Sequence, residues 1–182
     1  MRLLIEKNTS GKQKIIAAIP MLGMMVIIFL FSAKTASESD GTSLPIVRAL
    51  LNLYQRLFGI MGADSYEVSL RVANVLLRKA AHVTEYGILS IFVSCFIWVN
   101  GYRGRLLLSF TMLISVGYAV TDEVHQLFVP GRSGRITDVL IDSLGCILGA
   151  LFFLLICDII KNRSLKKQLS NQFITIDTID NN

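Results

Sequence analysis

Ionisable side chains lie at or just inside the ends of three strongly apolar stretches of this sequence. They form three groups, which are His82 with Glu85, then Asp122, Glu123 and His125, and finally Asp138 with Asp142. A charged side chain at membrane depth costs about 2.5–3.5 kcal/mol on insertion scales, so such residues are usually paired and often functional. If the three ends meet at one membrane face, their side chains form a polar pocket there.

The first group is placed for proton transfer. A spacing of three or four residues puts Lys79, His82, Glu85 and Tyr86 on one face of a helix. Imidazole titrates near neutral pH and a carboxylate can orient it, so His82 and Glu85 are candidates for moving a proton. A structural His–Glu or Lys–Glu pair that fixes the register of the helix explains the same spacing equally well.

The second group carries two acids and an amide. Asp122 shares a helix face with Gln126, and Glu123 does so through its three-residue spacing. Both acids can face a bundle interior only if they flank its axis, and either would then serve as a second acid or base. Solvation in a loop explains His125 more simply than a role in the pocket.

The third group stacks two carboxylates, because Asp138 and Asp142 are four residues apart and would repel each other if unpaired. A positive group must therefore lie nearby. The candidates are Arg132, Arg135, His82, Lys79 and a metal ion. The two arginines could also hold the phosphate or carboxylate of a head group. Further along, Gly145 and Gly149 permit close contact with a neighbouring helix.

A divalent metal site is an open alternative, because carboxylates and imidazole on facing helices can bind such an ion. The plausible ligands are His82, Glu85, Asp122, Glu123 and Asp138. No hydroxyl is marked as an activated nucleophile, although Ser143 and Thr84 are near the groups in sequence. The residues alone therefore assign no metal or cofactor and do not decide whether the protein is an enzyme.

The elements that position these groups are four apolar stretches, residues 15–33, 80–99, 106–128 and 137–160. Each approaches the roughly 20 residues that cross a bilayer as a helix. The chain has 182 residues, 53% of them hydrophobic, which exceeds the roughly 45–50% of soluble domains. We predict an all-α polytopic membrane protein, a bundle of four transmembrane helices over residues 15–160. The net charge of +5 suits anionic lipid headgroups better than nucleic acid.

Lysine and arginine in the flanks predict the orientation. Residues 1–14, the turn at residues 100–105 and the tail at residues 161–182 are basic and should be cytoplasmic. The tail is predicted to be disordered from Ser170 onward. The segment 34–79 and the loop 129–136 then lie at the outer face, together with every ionisable group described above.

The long outer segment contains an amphipathic stretch. Residues 37–43 are polar and predict a loop, whereas apolar residues recur at helical spacing after Pro45. Residues 46–61 therefore predict an outer-face amphipathic helix, which lies at the membrane interface or forms a lid on the bundle. Asp64 with Glu67 resembles a capping box, so a new helix should begin there and continue into the second span.

Three motifs together resemble the VanZ-like family of small bacterial membrane proteins over residues 15–160. They are Lys79-x-x-His82-x-x-Glu85-Tyr86, then Asp122-Glu123-x-x-Gln126-x-Phe128-x-Pro130-x-Arg132, then Asp138-Val139-x-x-Asp142-x-x-Gly145-x-x-x-Gly149. A Phe31-Ser32 step closes the first span, as in the family. This chain departs from the family pattern at Asp142, where the family usually has an amide, and at Lys34, where it tends to glutamine.

The resemblance implies a multi-pass protein of the bacterial cell membrane, and the basic flanks predict that both of its termini are cytoplasmic. It also implies a role in resistance to teicoplanin, a lipid-tailed glycopeptide that acts at the outer membrane face. The pocket residues divide into two predicted roles. The catalytic candidates are His82, Glu85, Asp122 and Glu123, and the substrate-binding candidates are Lys79, Tyr86, Gln126, Arg132, Arg135, Asp138 and Asp142.

Two classes of function remain open. One is an enzyme that acts on a lipid-linked cell-wall or envelope component. The other is a non-catalytic protein that binds or shields a lipid, the drug or an envelope partner, with the amphipathic segment as its contact surface. A transporter is the weakest option, because four spans without repeats are few for one.

Overall fold

The computed structural model describes residues 9–59 and 62–180. Within these residues the chain forms five helices and no strand. They are α1 (Gly11–Ser32), α2 (Ala36–Phe58), α3 (Ala63–Val99), α4 (Gly104–Gln126) and α5 (Ile136–Asp180). The predicted all-α class is confirmed. Most of the predicted N-terminal tail (residues 1–8), Met61 of the amphipathic segment and residues 181–182 lie outside the described residues.

In the described part of the chain, four helices are long and apolar enough to cross a membrane, and they match the four predicted spans. These stretches are Gly11–Ser32, Asp64–Val99, Gly104–Gln126 and Ile136–Lys166. α3 contacts α1, α2 and α4, so it is the central helix of the compact unit that ends at Ala150. At one end of this unit the Thr9 hydroxyl donates to the Val99 carbonyl oxygen over 2.8 Å, which holds the start of α1 beside the end of α3.

α2 begins earlier than the sequence predicted, because residues 37–43 are helical and not a loop. A capping box explains the difference. The Thr35 hydroxyl accepts from the Glu38 backbone N–H, and the Glu38 carboxylate accepts from the Thr35 backbone N–H over 2.8 Å. Two free N–H groups of the first turn are thereby satisfied. Further along the helix, the Thr42 and Ser43 hydroxyls each donate to the carbonyl four residues earlier, a bond that the helical conformation allows.

The amphipathic helix predicted after Pro45 is confirmed as far as Phe58. Val47 is buried, whereas Leu50, Leu53 and Leu57 are all more than half exposed. Polar contacts join α2 to α3, because the Asp40 carboxylate accepts from Asn74 Nδ2 over 2.9 Å and pairs with Arg78 over 3.3 Å. α2 therefore lies along α3 and presents an apolar face outward.

α3 runs without a break into the second span, as predicted, but its start differs. The residue that caps it is Gly62, and no side chain caps the helix. The predicted capping box of Asp64 and Glu67 is therefore wrong, because both residues already lie inside the first turns of the helix. At the other end of the chain, α5 continues to Asp180. The residues from Ser170 onward, which the sequence predicted to be disordered, are therefore helical as far as Asp180. No glycine or proline interrupts the sequence after Gly149.

Two glycines set the contact between α3 and α5. A Cβ added at Gly145 would overlap the Val83 carbonyl oxygen, and one added at Gly149 would overlap the Gly87 carbonyl oxygen. The Ser90 hydroxyl donates to the Cys146 carbonyl oxygen over 2.7 Å in the same contact. The packing predicted for this glycine pair is confirmed, and it brings the backbones of the two helices together.

This contact predicts that Gly149→Ala destabilises the fold, because the added methyl group has no space and overpacking typically costs about 1–3 kcal/mol. Gly117→Ala is the matched control, since Gly117 lies within α4 with no other atom within 4 Å of its added Cβ. Thermal unfolding of both variants in one detergent measures the effect. Equal unfolding temperatures for the two variants would contradict the assigned packing.

Candidate functional site

The ends of α1 and α4 and the start of α5 meet at one end of the compact unit. Gln126, the last residue of α4, donates from Nε2 to the Ser32 hydroxyl at the end of α1 over 2.8 Å. Lys79 Nζ pairs with Asp138 Oδ1 over 2.7 Å and so joins α3 to the first turn of α5. These contacts place the helix ends beside one another in one polar region.

The two acids of α4 are both buried and both serve as hydrogen-bond acceptors. Asp122 Oδ2 accepts from Gln126 Nε2 over 3.3 Å, within the same helix. Glu123 Oε2 accepts from the backbone N–H of Arg135 over 2.8 Å. Burying a carboxylate is costly without such partners. The Glu123 bond also fixes the loop between α4 and α5 against the end of α4. Asp122 and Glu123 therefore face inward side by side, as expected for residues that flank the bundle axis.

The first two acids of α5, Asp138 and Asp142, each lie beside a basic group of α3. Asp138 has its ion pair with Lys79, and His82 Nδ1 lies 3.6 Å from Asp142 Oδ1. A positive partner for this carboxylate pair was predicted and is confirmed. The alternative His–Glu or Lys–Glu pair within α3 is wrong, because Lys79 and His82 both turn toward α5.

Asp142 is the least satisfied polar side chain of this region. It is 1% exposed, and neither of its carboxylate oxygens has a hydrogen-bond partner among the residues that the structure describes. The 3.6 Å separation from His82 is too long for a hydrogen bond, and His82 Nδ1 also lacks one. Most buried polar groups in proteins have a partner, so an exception of this kind requires an explanation.

A cavity of about 280 Å³, here called the charged cavity, opens between α3, α4 and α5. Most of the predicted pocket residues line it. They are Lys79, His82, Glu123, Gln126, Arg132, Arg135, Asp138 and Asp142. Arg78 lines it as well and was missed by the sequence analysis, although its position four residues before His82 places it on the same helix face.

Two arginines of the α4–α5 loop bring uncompensated positive charge to the charged cavity. Arg132 Nε donates to the Lys34 carbonyl oxygen over 3.1 Å, but among the described residues neither Arg132 nor Arg135 forms an ion pair with a carboxylate. Burial lowers the pKa of the Arg132 guanidinium, and the neighbouring Arg78 charge acts in the same direction. An arginine nevertheless stays protonated in proteins, so this site favours an anion.

A second cavity of about 280 Å³, here called the side cavity, lies between α1, α2 and α3. Glu85 lines the side cavity and not the charged cavity, so it is separated from the other predicted catalytic residues. Three residues line both spaces and form the wall between them, namely Arg78, His82 and Arg132. The sequence could not reveal this division, because it depends on where α2 packs.

Tyr86 and Asp122 lie behind the two cavities and line neither of them. Tyr86 is completely buried, and its hydroxyl lies beside Asp122 without a hydrogen bond of ordinary geometry. His125 stacks on Phe29 with ring centroids 4.7 Å apart, and its Nε2 is buried. The predicted loop solvation of His125 is therefore wrong, because α4 continues through this residue and turns it toward α1.

The structure gives no support to the alternative of a divalent metal site. In the described part of the chain, no three His, Cys, Asp or Glu side chains are placed to hold one ion. The acids are held apart by their own partners, with Asp122 on Gln126, Glu123 on the loop backbone and Asp138 on Lys79. Among the described residues, the arrangement offers two guanidinium groups without a carboxylate partner and one carboxyl group, that of Asp142, without a hydrogen bond.

Comparison with known proteins gives one match. A family model described as VanZ/LLP1 matches residues 17–157. No curated protein and no solved structure matches the chain. The matched region covers all four candidate spans in whole or in large part, together with every residue that lines the two cavities.

Proposed function

Because the chain belongs to the VanZ/LLP1 family, we propose that it is a multi-pass protein of the bacterial cell membrane that acts in resistance to teicoplanin. It does so by binding the anionic head group of a lipid-linked envelope component in the charged cavity. Teicoplanin acts on cell-wall precursors at the outer membrane face, so a protein that binds such components there is placed to interfere with the drug.

One observation carries the proposal. Arg132 and Arg135 line the charged cavity, and among the described residues neither pairs with a carboxylate. A guanidinium presents several N–H donors in a planar fork that matches phosphate and carboxylate oxygens. Uncompensated guanidinium groups in a cavity of about 280 Å³ suit an anionic head group far better than an apolar drug fragment.

The other lining residues take supporting roles. Lys79 and Asp138 neutralise each other and hold α5 in place. Gln126 links α1 to α4, and Glu123 fixes the backbone of the loop that carries both arginines. Their proposed contribution is to position Arg132 and Arg135, and no covalent step is needed for it.

A second candidate function is catalysis on the bound component, and the His82–Asp142 pair favours it. The imidazole and the carboxylate lie side by side in the charged cavity, 3.6 Å apart, and a carboxylate can orient an imidazole for proton transfer. Against it, Glu85 lines the other cavity and Asp122 lines neither. Conversion of a lipid-linked substrate by the purified protein in vesicles would separate catalysis from binding.

The orientation is part of the proposal, with both termini in the cytoplasm and the charged cavity at the outer face. In a variant whose native Cys95, Cys146 and Cys157 are replaced by alanine, Ser133→Cys reports on the α4–α5 loop and Tyr102→Cys on the opposite end of the bundle. We expect a membrane-impermeant maleimide to label the Ser133→Cys protein in intact cells and the Tyr102→Cys protein only after permeabilisation. The reverse pattern would show that the cavity faces the cytoplasm.

The functional test is the teicoplanin susceptibility of a sensitive Gram-positive host. It carries the intact chain, the Arg135→Gln variant or an empty vector, at matched abundance in the membrane. We expect the intact chain to raise the inhibitory concentration and Arg135→Gln to lose most of this protection, since a hydrogen bond to a charged group contributes about tenfold or more in affinity.

Arg71→Gln is the matched control for charge, because Arg71 is an exposed arginine of α3 that lines neither cavity. It should protect as well as the intact chain. Equal protection by the Arg135→Gln and Arg71→Gln variants would show that the charged cavity does not contribute to the resistance. Absence of protection by the intact chain would show that the resistance role does not hold for this protein.

A further inference from the structure

Asp142 has a feature that binding of an anion leaves unexplained. Its carboxylate is buried, lines the charged cavity and has two oxygens without a hydrogen-bond partner. An anionic group alone supplies no donor for these two oxygens. The charged cavity therefore contains acceptor atoms that the proposed anionic group does not satisfy.

The neighbouring protein groups do not supply the missing donors. Lys79, the nearest lysine in the cavity wall, is engaged by Asp138 over 2.7 Å. His82 approaches only one of the two Asp142 oxygens, and its 3.6 Å distance exceeds a hydrogen bond. Even a charged imidazole in that position would leave the second oxygen without a donor.

Most other charges that line the charged cavity are compensated within the protein. Arg78 pairs with Asp40, Lys79 with Asp138, and Glu123 accepts from the Arg135 backbone. The groups that remain are the guanidinium groups of Arg132 and Arg135 and the carboxylate of Asp142. The space thus presents two unlike sites at once, one for an anion and one for a hydrogen-bond donor.

We infer that the head group held in the charged cavity carries a hydrogen-bond donor beside its anionic group, and that Asp142 accepts this donor. The ligand class is a phosphate or carboxylate that also bears a protonated amine or a hydroxyl. An amine satisfies Asp142 better, since a charge-assisted hydrogen bond is roughly twice as strong as a neutral one. This inference rests on the proposed function and adds the chemical class of its ligand.

Water is the competing explanation for the free oxygens. A buried water can donate to two acceptors, and a cavity of about 280 Å³ has room for several at about 30 Å³ each. Water in this place would give no preference among anions of similar charge. A preference for anions that carry a donor is therefore the observation that separates ligand recognition from hydration.

The experiment is a calorimetric titration of the full chain in detergent with three soluble probes. Methyl phosphate has no donor beside its phosphate, glycerol 1-phosphate adds hydroxyls, and phosphoethanolamine adds a protonated amine. We expect phosphoethanolamine to bind about tenfold more tightly than methyl phosphate, with glycerol 1-phosphate between them, as expected for an added hydrogen bond to a charged group.

Two variants assign the preference to Asp142. Asp142→Asn keeps the size but replaces one acceptor oxygen with an NH2 donor, so it should abolish the advantage of the amine while methyl phosphate still binds. Asp142→Ala should remove the preference for both donors. Asp64→Asn, at an exposed site in the first turn of α3, is the control and should keep the full preference.

The outcomes separate this inference from the proposed function. Equal affinity for all three probes, or a preference that survives in Asp142→Asn, overturns the inference and leaves anion binding intact. If the intact chain binds none of the probes, methyl phosphate included, anion binding in the charged cavity fails and the inference fails with it.

Discussion

The structure depends on one constraint, which is that polar groups removed from water at the end of an apolar bundle must find partners in the protein. Each free donor or acceptor there costs several times the net value of a hydrogen bond. Gln126 with Ser32 joins α4 to α1, Lys79 with Asp138 joins α3 to α5, and Glu123 holds the loop between α4 and α5. The same bonds that satisfy these groups thus gather the helix ends around the charged cavity.

Close packing decides which polar groups meet. Gly145 brings the backbone of α5 against Val83 of α3, and Asp142 lies three residues earlier in α5. This register places Asp142 beside His82, one residue before Val83, and leaves Glu85 on the side of α3 that lines the side cavity. A contact between small residues within the bundle therefore fixes the pairing of charged residues at its end.

Much of this architecture could be predicted from the sequence. Apolar length predicted the four spans, and helical spacing predicted that the acids of α4 could face inward together. The glycine pair predicted a close helix contact for α5, although not that α3 is the partner. The local capping of α2 was missed, because the polar residues 37–43 resemble a loop until Thr35 and Glu38 are recognised as a capping box. The partners of His82 and Lys79, the burial of His125 and the division into two cavities could not be predicted, because they depend on tertiary register and on where α2 packs.

The central claim is that the charged cavity binds an anion through Arg132 and Arg135. Crystals of the full chain grown with tungstate, a heavy-atom substitute for phosphate, test it most directly. We expect an anomalous difference peak from bound tungstate inside the charged cavity, within hydrogen-bond distance of both guanidinium groups. Strong tungstate peaks elsewhere on the protein with none in this cavity would contradict it.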